Sequence, residues 1–337
     1  MDCPVIPRAF VTRALLALSA FHVGNSHAHH SLNTFEQTPI VLEGELVGIN
    51  WRNPHVTFEL RVADDSGEEA VWRMEAHSVF NLQRGGVTRD MIPLGEYVRV
   101  VGRQSNITDH RMIVDTMRLS DGRELTLWAG LFSTFEDAPR LQDAASENLG
   151  IFRVWTVAQE HVARAVTQTN AMPLTEQAIA ARESWDNLDN YAVRCESPGM
   201  PTMMLTQNPL EFVDEGPIIR IRTEWFDLVR TVHMDQDEVP ADAAYSHLGY
   251  SIGNWEGDDL VVETTRINWP WLDNRGTPLS DAVRVVERFS LSDDQSRLAF
   301  RIEIIDPVTF TEPAILSGHW LALGDTVGSY NLDCNPR

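Results

Sequence analysis

Ser251-Ile252-Gly253-Asn254-Trp255-Glu256-Gly257-Asp258-Asp259-Leu260-Val261-Val262-Glu263-Thr264-Thr265 is the stretch that decides the fold. Two β-rich runs flank the acidic, glycine-centred segment Glu256–Asp259, and such a pattern folds back on itself as a hairpin. Upstream, Ile219, Ile221, Thr223 and Trp225 alternate with Arg220, Arg222 and Glu224, and a further run covers Leu228 to Met234. Downstream, Ala282 to Phe289, Leu298 to Ile305 and Ile315 to Leu323 continue the series, with Ser292-Asp293-Asp294-Gln295 as a turn. Strands at this spacing predict an antiparallel up-and-down, lipocalin/calycin-like barrel over 196–337. Closure removes exposed sheet edges, and a barrel of about eight strands can hold one small ligand.

Residues 38 to 127 form a second β region. Val56, Phe58, Leu60 and Val62 share one face of a strand, Asp64-Asp65-Ser66-Gly67 turns the chain, and Ala70 to Glu75 returns it. His77 to Arg84 reads as a short helix stopped by Gly85-Gly86. Tyr97 to Gly102, Met112 to Leu119 and Leu125 to Trp128 are later strands, with Asp121-Gly122 as a turn, and Gly44 suits a bulge or bend in the first strand. Three strands, a helix and more strands is the order of an OB-like small barrel over 29–130. Between the two β regions, 131–195 is richer in Ala and Glu and predicts a partly helical connector. In it Thr175 caps a helix that carries Ala178, Ile179, Ala181 and Trp185. The expected fold is therefore mainly β, two barrels joined by this connector.

The first 28 residues predict a signal peptide. Arg8 and Arg13 make a basic start, Ala14 to Val23 is a short apolar run, and Ser26-His27-Ala28 fits a small-x-small cleavage site. Cleavage there would send the protein to the periplasm or outside the cell and expose His29, beside His30, as the mature N-terminus. In that compartment Cys195 and Cys334 form an even pair, open to a disulfide or to two buried thiols, while Cys3 leaves with the signal segment.

A net charge of −22 argues against nucleic acid and against anionic membrane surfaces as partners. No run after the signal segment is apolar and long enough for membrane insertion. All 27 basic residues are arginine, which excludes Schiff-base chemistry, a P-loop lysine and a lysine general base.

Candidate chemistry concentrates between 245 and 288, where polar and aromatic residues are densest. The loop Asn268-Trp269-Pro270-Trp271-Leu272-Asp273-Asn274-Arg275-Gly276 sets an acid and an arginine beside two tryptophans, the composition of a small-molecule site. Asp273 or His247 would move a proton, Arg275 would orient charge, and Tyr250, Trp255, Trp269 and Trp271 would form walls. The same residues also fit a plug, with the tryptophans closing the barrel end and Asp273 pairing Arg275 on the surface. For metal, His29 offers an α-amino and a ring nitrogen to copper, and His30 and His55 are further donors; apart from that site no cofactor is expected.

The N-terminal half resembles an exported small β-barrel family that begins Ala-His-His-Ser. The likeness rests on Ala28-His29-His30-Ser31, Trp51-Arg52-Asn53-Pro54-His55, the segment from Arg84-Gly85-Gly86 to Asp90, and Val100-Val101-Gly102. The C-terminal half is similar to a secreted bacterial family with Pro-Gly-Met-Pro and Gly-x-Trp-Glu-Gly-Asp motifs. Here these are Pro198 to Pro201 and Gly253 to Asp258, followed by Trp271 to Asp273 and Val285 to Phe289. Neither resemblance brings an activity with it. The expected function is binding of a small apolar organic molecule in the C-terminal barrel, with cofactor-free acid–base chemistry of lyase, isomerase or cyclase type. A non-catalytic protein binding a hydrophobic ligand or a partner, and copper binding through His29, are the alternatives.

Overall fold

The computed structural model describes residues 34–324, apart from Pro54, Asp65, 129–145, 187–188, 192–193 and Cys195. The expected signal segment, His29, His30 and both cysteines of the expected pair lie outside the described residues. Within them the chain builds two closed β-barrels with few helices.

The first barrel uses β1 (Ile40–Asn50), β2 (Thr57–Ala63), β3 (Glu69–Glu75), β4 (Tyr97–Gln104) and β5 (Arg111–Arg118), with β6 (Glu124–Thr126) appended to β5. Helix α1 (Val79–Arg84) falls between the third and fourth strands, and β3 pairs with β5 in parallel to close the ring. This is the OB-like order that the sequence predicts. Phe58 and Leu60 alternate into the core as expected, both fully buried. Gly44 serves close approach and not a bulge: a Cβ there would lie 2.1 Å from the Arg61 carbonyl oxygen. The register shift in β1 falls between Leu46 and Gly48. Helix α1 starts where the Ser78 hydroxyl accepts the Asn81 N–H, and Asn53 accepts the Val79 N–H at 2.9 Å. It ends at Gly85, with Gly86 at φ +80°.

The second barrel runs, in chain order, through β7 (Val154–Val157), β8 (Leu210–Asp214), β9 (Ile218–Thr223), β10 (Val229–His233), β11 (Tyr250–Glu256), β12 (Asp259–Thr265), β13 (Arg284–Leu291), β14 (Arg297–Ile305) and β15 (Ala314–Ala322), which pairs back to β7. The 251–265 hairpin forms as expected, with Glu256 opposite Asp259 across Gly257.

Two features differ from expectation. Strand β7 comes from within the expected connector, where Val157 pairs with Trp320 and Trp155 with Leu210. All four of its residues are buried, so no apolar–polar alternation betrays it: Trp155 and Val157 join the main core while Val154 packs with Ala158, Leu321 and Leu323. The second difference is that β10 and β11 run parallel, because the long connection 234–249 returns the chain to the end where β10 began. The other pairings of this barrel are antiparallel. Helices α2 (Gln159–Asn170) and α3 (Glu176–Glu183) remain as connector helices, and Thr175 caps α3 by accepting the Ala178 N–H. No helix among the described residues is long and apolar enough to cross a membrane.

The two barrels are joined by a buried charge pair. Arg84, the last residue of α1, donates to both carboxylate oxygens of Glu224, at 2.9 and 2.5 Å. Sequence alternation puts Glu224 on the outer face of its strand with Arg220 and Arg222. It is instead fully buried, because β9 ends at Thr223 and the chain turns through Trp225–Asp227. Removing one partner strands a desolvated charge. Arg84→Ala should therefore lower stability by about 3–5 kcal/mol, and Arg84→Met with Glu224→Leu should recover much of that loss. Urea unfolding checks both; a wild-type midpoint for Arg84→Ala would show that the pair does not hold the barrels.

Candidate functional site

The loop predicted to carry chemistry is built as a plug. Trp269 is 1% exposed; its indole N–H donates to the Thr202 hydroxyl at 3.2 Å, and its ring meets Tyr191 at 5.1 Å and His247 at 5.0 Å. The Pro198–Pro201 turn seats against it, since a Cβ on Gly199 would lie 2.4 Å from the Trp269 Cβ. Met200, Met203 and Met204, in and after that turn, are buried as well. Trp271 packs edge-on against Trp185 at 4.7 Å.

Asp273 organises this loop. One oxygen accepts the N–H groups of Arg275 and Thr277 at 2.9 and 3.1 Å, and the other accepts the Thr277 hydroxyl at 2.8 Å, with the Arg275 guanidinium 3.7 Å away. Three hydrogen bonds and one longer charge contact thus tie the carboxylate to its own loop. Arg275 also donates to Asn170 at the end of α2, and burial lowers its pKa against the opposing charge of Asp273. Tyr191 is pushed up, chiefly by burial and then by the negative Asp273.

The other expected residues do not join Asp273. Tyr250 stacks on His233 at 4.5 Å and donates to Gln236. Trp255 sits at the far end of β11, 45% exposed, beside Phe152. The expected constellation thus divides into a barrel plug of Trp269, Trp271, His247, Asp273 and Arg275, a flank at Tyr250, and an outer hairpin residue, Trp255. Strand length is the physical reason for the last: Trp255 shares the phase of Ser251 and Gly253, but at that point the hairpin has passed the barrel rim and the side chain meets solvent.

The polar centre lies elsewhere, inside the second barrel. Arg230 is in phase with Val232 on β10, and Glu287 is in phase with Val285 and Phe289 on β13, so the alternation that buries the apolar residues buries both charges. Arg230 is 1% exposed and Glu287 fully buried. The Arg230 Nε donates to the Ser251 hydroxyl at 3.0 Å, and Nη2 donates to Thr264 at 2.7 Å and to Glu287 Oε2. Ser251 and Thr264 bond each other at 2.9 Å. Two atoms of this cluster, Arg230 Nη1 and Glu287 Oε1, have no hydrogen-bond partner among the described residues. Arg230 lies outside the region expected on sequence, and Glu287 lies inside 245–288 but has no role in the expected site. The signal for the arginine is Val229-Arg230-Thr231-Val232, where the charge shares the inward phase of Val232.

In the OB-like barrel His55, expected as a copper donor, has its Nδ1 on the Ala76 carbonyl at 2.9 Å and its Nε2 3.7 Å from Glu75, which also takes Arg111 at 2.8 Å. His77 stacks on Trp128 at 4.4 Å. Burial, reinforced by His55, pushes His77 down to about 3 from 6.5. No group of three or more His, Cys, Asp or Glu residues among the described residues could hold a metal ion.

Residues 17–111 match a family described as a family of unknown function (DUF6152). The matched stretch holds the motifs at 28–31, 51–55 and 84–90 and ends at the first residue of β5. No curated protein matches the chain.

Two tests follow from this geometry. Asp273→Ala leaves two backbone donors and a hydroxyl unmet, so it should cost about 2 kcal/mol and open 268–280 to limited proteolysis. A wild-type melt would remove Asp273 from its structural role. His77 is neutral when folded and takes up a proton when unfolded below its ordinary pKa, so its contribution is fully present above about pH 6.5 and is lost as pH falls toward 3. The loss is on the order of 4 kcal/mol over that window. His77→Phe should flatten the acid limb of a stability–pH curve, and an unchanged limb would refute the assignment.

Proposed function

We propose that this protein binds a small, largely apolar organic molecule inside its nine-stranded barrel, outside the cytoplasm, and does so without chemistry on it. The observation that carries the reading is the Arg230–Ser251–Thr264–Glu287 cluster within a closed barrel whose buried residues are mostly apolar. Burying a guanidinium and a carboxylate costs several kcal/mol per ion before their attraction is counted. A cluster kept at that cost, with one donor and one acceptor unmet, suits the polar anchor of a site whose other walls are apolar. Barrel width supports the same reading: eight strands leave an interior that side chains just fill or that holds one small ligand, and this barrel has nine. The aromatic bulk, Phe212, Phe289, Phe300 and Trp320, forms one cluster of edge-on and stacked rings, whereas Ser251 and Thr264, which bond Arg230, are small.

Acid–base catalysis at Asp273 has less support, because its carboxylate is spent on the loop. The periplasmic or secreted location rests on the N-terminal sequence, and the acidic, lysine-free composition fits a protein with no nucleic-acid partner.

The test uses full-length protein purified from the periplasm. Native mass spectrometry should show a 1:1 organic adduct that is lost on denaturation. The neutral fluorophore N-phenyl-1-naphthylamine should bind saturably, and removing both charges together, Arg230→Met with Glu287→Leu, should weaken the native adduct with circular dichroism unchanged. An apo mass together with no saturable fluorophore binding would overturn the proposal.

A further inference from the structure

The two unmet atoms specify the head group of that ligand. Arg230 Nη1 can only donate and Glu287 Oε1, in the ion pair, can only accept. They belong to two groups already in contact through Nη2 and Oε2. The cluster is electrically balanced, one guanidinium against one carboxylate, and the buried pair Arg84 with Glu224 is balanced too.

Resting on the barrel-binding reading above, we infer that the ligand is a neutral amphiphile whose head both donates and accepts, an alcohol or a primary carboxamide on an apolar body. An ionised carboxylate offers acceptors only; it would meet Nη1 but face Glu287 with a like charge and add an uncompensated anion to a desolvated interior. An alkylammonium offers donors only and makes the mirror-image mismatch with Arg230. An ester or ketone meets Nη1 and leaves Oε1 unmet. A hydroxyl accepts from Nη1 and donates to Oε1, and a primary amide does the same with its oxygen and its NH2 group. Leaving one buried polar atom unpaired, or one charge unbalanced, is the larger penalty in a dry site, so discrimination is expected to come from rejection of the ions.

The experiment is displacement of N-phenyl-1-naphthylamine from the full-length wild-type protein by one alkyl chain carrying four heads: alcohol, primary carboxamide, carboxylate and ammonium. At about pH 8 a free carboxylic acid is ionised and an alkylamine protonated. The alcohol and the amide should displace the fluorophore with affinities roughly tenfold or more above either ion. Glu287→Gln leaves Arg230 unbalanced and should move the preference to the carboxylate, while Arg230→Met should move it to the ammonium. If either variant fails to fold, the wild-type ranking decides alone. A carboxylate that binds wild-type protein as tightly as the alcohol would overturn the head-group inference and leave barrel binding standing. Fluorophore binding that none of the four heads displaces would overturn it in the same way. Absence of fluorophore binding would instead remove the barrel reading, and the inference with it.

Discussion

Closure of the nine-stranded sheet is the constraint from which the rest of the C-terminal half follows. It depends on four residues, Val154–Val157, which pair with β15 on one side and with β8 on the other. Without β7 the sheet would have two long open edges. With it, every second residue of each strand must point inward, and an inward residue has no route to solvent. Arg230 and Glu287 occupy such positions, so each must find its counter-charge inside. The ion pair, the two hydroxyls that support it and the two unmet atoms are thus consequences of closure combined with strand phase.

The lysine-free composition shapes how those buried charges are met. Arg84, Arg111 and Arg230, the cations buried against Glu224, Glu75 and Glu287, are all guanidiniums. A guanidinium presents planar, forked donors and is less strongly hydrated than an ammonium, so it suits a desolvated carboxylate better than a lysine would. Arg84 shows the use of the fork, with both Glu224 oxygens engaged. Its position is set locally: Ser78 and Asn53 fix the start of α1, Gly85 fixes its end, and the last helical side chain then reaches the other barrel. The Arg84-Gly85-Gly86 segment therefore coincides with the contact that joins the barrels.

Much of the architecture is legible in the sequence because it follows from period and punctuation. Alternation in Val56–Val62 and Ile218–Thr223, the Gly257 hairpin, the helix stop at Gly85-Gly86 and the Thr175 cap are local signals, and each is realised in the fold. What stays hidden needs register. Strand β7 is buried on both faces and shows no alternation. Glu224 falls on the outer side of an extrapolated strand that in fact ends one residue earlier. The parallel β10–β11 pairing depends on the path of 234–249, which carries no short turn signal. The candidate site misleads for a related reason: tryptophans beside an acid and an arginine have the same composition in a plug as in a pocket. What separates them is where the hydrogen bonds go: both Asp273 oxygens are engaged by the loop itself, while Arg230 Nη1 and Glu287 Oε1 have no partner among the described residues.

The polar cluster also has a mechanical position that bears on how it is used. The Arg230–Ser251 bond crosses the parallel pairing of β10 with β11, whose ladder consists of Val232 with Ser251 and His233 with Ile252. Its neighbours are much longer; β11 and β12 pair from Tyr250–Thr265 through Glu256–Asp259. The side-chain bond therefore spans the shortest seam in this part of the barrel, and stacking of Tyr250 on His233 reinforces the same seam from the other face. A polar cluster placed there is coupled to the stability of the wall it stands on: loss of the Arg230–Ser251 bond would loosen the strand pairing behind it. The side-chain cluster and barrel closure thus draw on the same few residues, which ties the interior charges, more than the loop at 268–276, to the integrity of the barrel wall.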